Sequence, residues 1–323
     1  MAVLRLFVLA VAALLALAPA ASAQENYPTR PVRLIVGFAA GSSGDVTARI
    51  VGARLGELLG QTIIVENRPG ASSMIATDYV ARAPKDGTTL LLATIAATIN
   101  TTLNPGKGAD FEKDLAPIVL VGSLPNILVV NPSVPVDDVK GLIALAKQKP
   151  GELLYGASGL GSGPHLTSEL FKQMAGIDMT AVLYPGSANT VTDLVAGRIQ
   201  VMFAPATTVI GLIRDGRVKP LAVSEARRAS VAPDLPTIAE AALPGFNTGL
   251  WYGILAPAGT PSPIVEKISK AANEALKDPK VLSLFHEQGL DAIGGSPDDF
   301  RRFIRSETER WAEVLHKMPK PNQ

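Results

Sequence analysis

From Val32 onward, short runs of branched aliphatic residues alternate with stretches whose apolar positions recur every three to four residues. VRLIVGF reads as a strand. The helix predicted from about Asp45 to Leu59 carries Val46, Ile50, Val51, Leu55, Leu58 and Leu59 at helical spacing, and Gly60 supplies its stop. TIIVEN, TTLLLAT and PIVLVGS read as further strands, with a helix around Met74 to Arg82 between the first two. Strands that are apolar almost throughout are expected where helices cover both faces of a parallel sheet.

A second series of the same rhythm follows. It comprises NILVVNP, a helix near Asp137 to Lys147, the strand LLYGAS, a helix near His165 to Ala175, the strand AVLY, a helix ending at Gly197, and IQVMFA. KPLAVS and LWYGILAP are later strands, separated by a proline-rich, irregular stretch from Pro233 to Pro244. Three helices come last. Ser262 before Pro263 and Ser296 before Pro297 read as cap-then-proline starts, and Phe300, Phe303, Ile304, Trp311, Val314 and Leu315 form one apolar stripe on the final helix. The pattern predicts an α/β protein of two lobes, each a mostly parallel sheet flanked by helices. Lobe I is expected at 24–124 and 247–323, and lobe II at 125–246.

Ahead of this series, Arg5 precedes an apolar run from Leu6 to Ala18, then Pro19 and the small residues Ala21, Ser22 and Ala23. That is the layout of a secretory signal peptide, expected at 1–23 with cleavage after Ala23 and release to the periplasm. The run is shorter than the roughly 20 apolar residues a spanning helix needs. The absence of cysteine excludes disulfides, thiolate catalysis, cysteine metal sites and lipoprotein attachment, so packing alone must stabilise each lobe. Lys and Arg number 30 against 29 Asp and Glu, and the leader holds one Arg and no acid, leaving 29 against 29. No basic tract points to nucleic acid or anionic lipid.

Two glycine-rich junctions carry candidate chemistry. The first runs from Gly37 through Phe38, Gly41, Ser42 and Ser43 to Asp45, between a strand and a helix. Small residues let a ligand approach the backbone, and a helix start offers unpaired N–H groups at the positive end of its dipole, so an anion is held without a buried cation. The dipole contributes roughly 0.3–1 kcal/mol, and about 2 when partly buried. Helix capping by Ser43 or Asp45 is the plainer alternative. Neither a GxxxxGK loop nor a GxGxxG fingerprint is present there.

The second junction, Tyr155 to His165 with Ser158, Gly159, Gly161 and Ser162, repeats the physics of the first. One such turn per lobe places the two across a cleft at the carboxyl ends of both sheets. A hydrolase elbow fails at Leu160, where G-x-S-x-G requires glycine, although Ser158 or Ser162 with His165 remains the enzyme alternative. His286 and His316 lie in the last helical patterns; no HExxH and no clear acid–base carboxylate pair is present. Tyr184 and Trp251 either line the cleft or fill cores, and Asn67 to Gly70 reads as a structural turn.

YPTRPVRLIVGF with the small-residue turn to Asp45, VENRPGAS, DGTTLLLAT, YGASGLGSGPHLTSELFKQMAG, PLAVSEARR with LPTIAEA, and WYGILAPAGTP occur in an order and spacing that resembles the Bug family, the periplasmic receptors of tripartite tricarboxylate transporters. The resemblance covers nearly the whole chain after the leader. It implies a class II type periplasmic binding protein, not an enzyme, that closes over a small mono- or dicarboxylate and hands it to membrane permease subunits. A ligand-dependent partner of a receptor kinase is the alternative. The resemblance implies no cofactor and no metal, and a monomer is expected. Ligand-binding positions carried over are Phe38, Gly41, Ser42, Ser43, Asp45 and Thr94 in lobe I, with Ser158, Gly159, Gly161, Ser162, His165 and Tyr184 in lobe II. The chain departs from the family pattern at Gly37, Ser42, Ala181, Leu183 and Ala204. If Ala204 faces the ligand, these changes favour a more apolar or aromatic carboxylate.

Overall fold

The computed structural model describes residues 27–159 and 161–317. The leader 1–23 and its cleavage point after Ala23 lie outside the described residues. Sheet I contains β1 (Val32–Val36), β2 (Ile63–Asn67), β3 (Thr89–Thr94), β4 (Leu115–Leu124), β10 (Leu250–Pro257) and the short β11 (Asp291–Ala292). Its strand order is β11-β4-β10-β3-β1-β2. Sheet II contains β5 (Asn126–Val130), β6 (Leu154–Ala157), β7 (Thr180–Leu183), β8 (Val201–Pro205) and β9 (Lys219–Val223), in the order β7-β6-β8-β5-β9.

Most strands in each sheet share one direction. β1 pairs in parallel with β2 and β3, and β6 with β7 and β8. The reversed strands are β5 and β10, antiparallel to both neighbours, and the edge strand β11. β5 and β10 are also the strands that begin once the chain has left one sheet for the other, after β4 and after β9. Every residue of β3, β5, β8 and β10 is buried, as expected of strands covered on both faces.

The helices of lobe I are α1 (Ser43–Leu59), α2 (Met74–Ala81), α3 (Ile95–Leu103), α9 (Ser262–Ala275), α10 (Pro279–Glu287) and α11 (Pro297–Lys317). Those of lobe II are α4 (Val139–Gln148), α5 (Gly163–Ala175), α6 (Ser187–Val195), α7 (Ala206–Arg214) and the one-turn α8 (Ile238–Ala241). Gly60 ends α1 as the pattern predicted. The apolar stripe of α11 docks on sheet I: Trp251 meets Phe300 and Phe303 edge-on, at 5.8 and 5.6 Å between centroids. The Trp251 indole N–H donates to Glu307 at 3.1 Å.

A buried hydrogen-bonded group joins the two crossings. Ser224 donates from its hydroxyl to the Thr248 carbonyl at 2.7 Å, the Asn126 N–H donates to Ser224 Oγ at 3.2 Å, and the Thr167 and Thr248 hydroxyls are 3.0 Å apart. The backbone of Ser224 also bonds both to Asn126 and to Thr248.

Some expectations change. Ser262 is the first residue of α9, with Pro261 before it and no side-chain cap; Pro263 follows in the first turn and fixes the start by its own φ. Ser296 does cap α11, its Oγ accepting from the Asp299 N–H at 3.1 Å. Helices α3 and α7 follow their strands without a linking loop, and α8, closed by a Thr237–Glu240 capping box, interrupts the proline-rich stretch read as irregular.

A candidate ligand site built from two matching turns

The β1–α1 and β6–α5 turns share one hydrogen-bonding plan. Ser42 and Ser162 cap their helices with nearly the same backbone, φ −69° ψ 159° and φ −70° ψ 156°. Ser42 Oγ accepts from the Asp45 N–H and Ser162 Oγ from the His165 N–H, each at 3.3 Å. One residue before each cap stands a glycine with positive φ, Gly41 at 78° and Gly161 at 71°. An L side chain strains that conformation, and it turns the glycine N–H inward to a side chain four residues on. Gly41 donates to Asp45 Oδ2 at 2.9 Å, and Gly161 to His165 Nδ1 at 3.4 Å. Behind them, Ser42 donates to the Ala39 carbonyl at 3.1 Å and Ser162 to that of Gly159 at 3.3 Å.

Asp45 and His165 are therefore braces inside the turns. Asp45 is 4% exposed. Burial alone would raise its pKa, but hydrogen bonds from Arg49, Gly41 and Asn67 and the Arg49 charge hold it below the ordinary carboxylate value. Its partner Arg49 lies 2.9 Å away, so the brace is close to neutral overall. Burial lowers the His165 pKa, opposed by the Glu169 charge and assisted by that of Lys172. The ring is neutral at pH 7. Because Nδ1 accepts, the proton is assigned to Nε2.

The donors left for a ligand follow from helix geometry. Ser43 and Gly44 open α1 and have no carbonyl four residues back within the helix. In α5 only Gly163 precedes the capped His165 with an N–H, since Pro164 has none. Lobe I thus offers the richer anion-binding end.

Two residues that sequence patterns did not assign to the site hold the first turn in place. Asn67 Nδ2 donates to the Phe38 carbonyl at 3.0 Å, and the buried Tyr252 hydroxyl donates to Ser43 Oγ at 2.7 Å. The VENRPG motif flagged Asn67 only as part of a turn; Tyr252 gave no local signal, being brought there by β10.

Among the other expected positions, Phe38 is half-buried beside the first turn, and Thr94 ends β3 and caps α3, its Oγ accepting from Ala96 at 3.3 Å. Ser158 and Gly159 follow β6 at the mouth of the second turn. The Tyr184 hydroxyl is committed to Asp193 at 2.8 Å. Ala204 is fully buried in β8, with its Cα opposite Ile127. Trp251 likewise fills the core under α11. The serine–histidine dyad of the enzyme reading is not assembled: the His165 Nδ1 is engaged by a backbone N–H, and Ser162 Oγ by the His165 backbone. Among the described residues, no group of three His, Asp or Glu could hold a metal ion. No helix among them is long and apolar enough to cross a membrane.

A family model for the tripartite tricarboxylate transporter family receptor matches residues 47–319. Protein BugT of Bordetella pertussis is 36% identical over 295 residues, covering 91% of this chain and 90% of that protein. Among solved structures, R. palustris Rpa4515 with adipate superposes with a TM-score of 0.84 at 40% identity, over 90% of this chain and 97% of that one. MatC (Rpa3494) from Rhodopseudomonas palustris with bound malate gives 0.82 at 30% identity, over 90% and 100%. Match length, two-lobed fold and paired turns agree, and the chain belongs to the tripartite tricarboxylate transporter receptor family, the Bug proteins, which are periplasmic solute-binding proteins and not enzymes.

Proposed function

We propose that this receptor captures a small mono- or dicarboxylate between the two turns and presents the closed form to permease subunits of a tripartite transporter. The observation that carries the reading is the duplicated turn: one N–H-lined helix start in each lobe, the Asp45 carboxylate of the first being paired with Arg49. Similar proteins hold adipate and malate. In this reading lobe I comprises 24–124 and 247–323 and lobe II 125–246, the leader is removed after Ala23, and the mature chain acts as a monomer.

A micromolar dissociation constant requires about −8 kcal/mol, which two helix ends, several hydrogen bonds and cleft desolvation can supply. The similar protein that holds adipate is 40% identical to this chain and the one that holds malate 30%, which favours an unsubstituted chain over a hydroxylated one. Adipate is expected to bind more tightly than malate. Native mass spectrometry for a co-purified acid, followed by calorimetric titration with adipate, malate and aromatic monocarboxylates, tests the reading. Absence of heat and of a melting shift with every acid at millimolar concentration overturns it.

A further inference from the structure

Between β2 and α2 the backbone does something L residues seldom do: Ala71, Ser72 and Ser73 all have positive φ, at 46°, 49° and 74°. Each would be relaxed as glycine. Strain of this kind persists only where the surroundings over-determine it, and it collects at ligand clamps and switch segments. Here the restraints come from several sides. The Ser72 carbonyl accepts from Asn100 Nδ2 of α3 at 2.7 Å, and the Ser73 carbonyl accepts from the Thr77 hydroxyl at 3.0 Å. The Ser73 side chain is buried against Gly37 so closely that a methyl group on Gly37 would stand 1.8 Å from Ser73 Oγ. The segment is thus built into the base of the lobe I turn.

Its other side meets lobe II. Gly161, which with Gly159 has positive φ in the second turn, is buried, and a methyl group there would lie 3.4 Å from Leu103 Cδ1 and 4.0 Å from Ser72 Oγ. Segment 71–73 is therefore in contact with one ligand turn and faces the other. We propose that Ser72 is a positioning residue for closure: a rigid, strained ridge against which the Gly161 turn seats when the lobes shut over a ligand. A glycine at 72 would accept the same φ without strain but would leave the ridge pliant and remove the side chain that faces Gly161. The chain keeps the side chain and tolerates the strain.

The inference rests on the capture reading, and the experiment separates the two. Wild type, Ser72→Gly and Ser72→Ala are compared in ligand-free melting, in calorimetric affinity for adipate and malate, and in the association and release rates of whichever acid binds. Ser72→Gly is expected to raise the ligand-free melting temperature by about 2–4 °C, while release speeds up about tenfold and association is unchanged. Ser72→Ala, which keeps the strain, is expected to give no melting gain and a smaller increase in release. Unchanged release in Ser72→Gly overturns the ridge while capture stands. A parallel loss of melting temperature and affinity in Ser72→Gly also overturns it, since that is the mark of a merely structural residue. If the wild type binds no acid, the capture reading falls and the ridge with it.

Discussion

Asp45 and His165 sit at the same place in two copies of one turn and differ in what protons do to them. The depressed Asp45 carboxyl contributes stability above its unfolded value of 3.8, and that contribution is lost as pH falls through its folded value. Asp45→Ala leaves the Gly41 N–H without its acceptor and Arg49 with only its bond to Asn67, and is expected to cost about 1–3 kcal/mol at neutral pH. Urea titrations should show the difference from wild type shrinking below pH 4. Glu225 behaves oppositely. It lies half-buried just after β9; burial and the nearby Asp291 charge push its pKa up to about 7, against a bond from Ser123. The folded state holds this proton more tightly than the unfolded state, so stability is fully present below pH 4.5 and falls as pH rises through 7. Glu225→Gln should therefore stabilise the protein at pH 8, by about 2–3 kcal/mol at most, and leave it unchanged near pH 4. A flat pH profile for that variant would contradict the assignment.

At the level of elements, α11 depends on one contact more than its length suggests. Phe300 lies over Gly253 of β10 so closely that a methyl group there would be 2.0 Å from the ring. Phe300→Ala opens a cavity beneath Trp251 and is expected to cost about 3–5 kcal/mol in chemical unfolding. The apolar stripe that makes this docking was readable from spacing alone, as were α1, α2 and strands β1 to β10, because their periods are unambiguous; the two-residue β11 was not. α3 was not: ATIAATINTTL is rich in Thr and Ile, which suit strands, and only the Thr94 cap and the packing under α11 make it helical. α7 was hidden because β8 turns into it at Pro205 with no polar break. Within the site, glycine and serine spacing announced both turns. That Asp45 and His165 brace their own turns could not be read from sequence, since it depends on which way Gly41 and Gly161 point their N–H groups. The Ser72 conformation leaves no sequence signal, for serine gives no warning of positive φ.

Across the whole molecule, two lobes are joined by strands that run against their neighbours and meet at Asn126, Ser224 and Thr248. The buried bonds there keep the crossings in register while leaving the far sides of the turns to approach each other. On the capture reading, the turns recognise charge without charge: Arg49 is spent on Asp45, burial disfavours a charged His165, and backbone N–H groups face the ligand. Beyond residue 23 the 29 acids and 29 bases balance, so no net charge draws an anion from a distance. Association rates for a bound carboxylate are therefore expected to change less than about twofold between 20 and 500 mM salt, where a cation-lined cleft would slow markedly. Stopped-flow measurements across that range would show it. On the capture reading, a receptor built this way meets its solute at the same rate in dilute and in saline media.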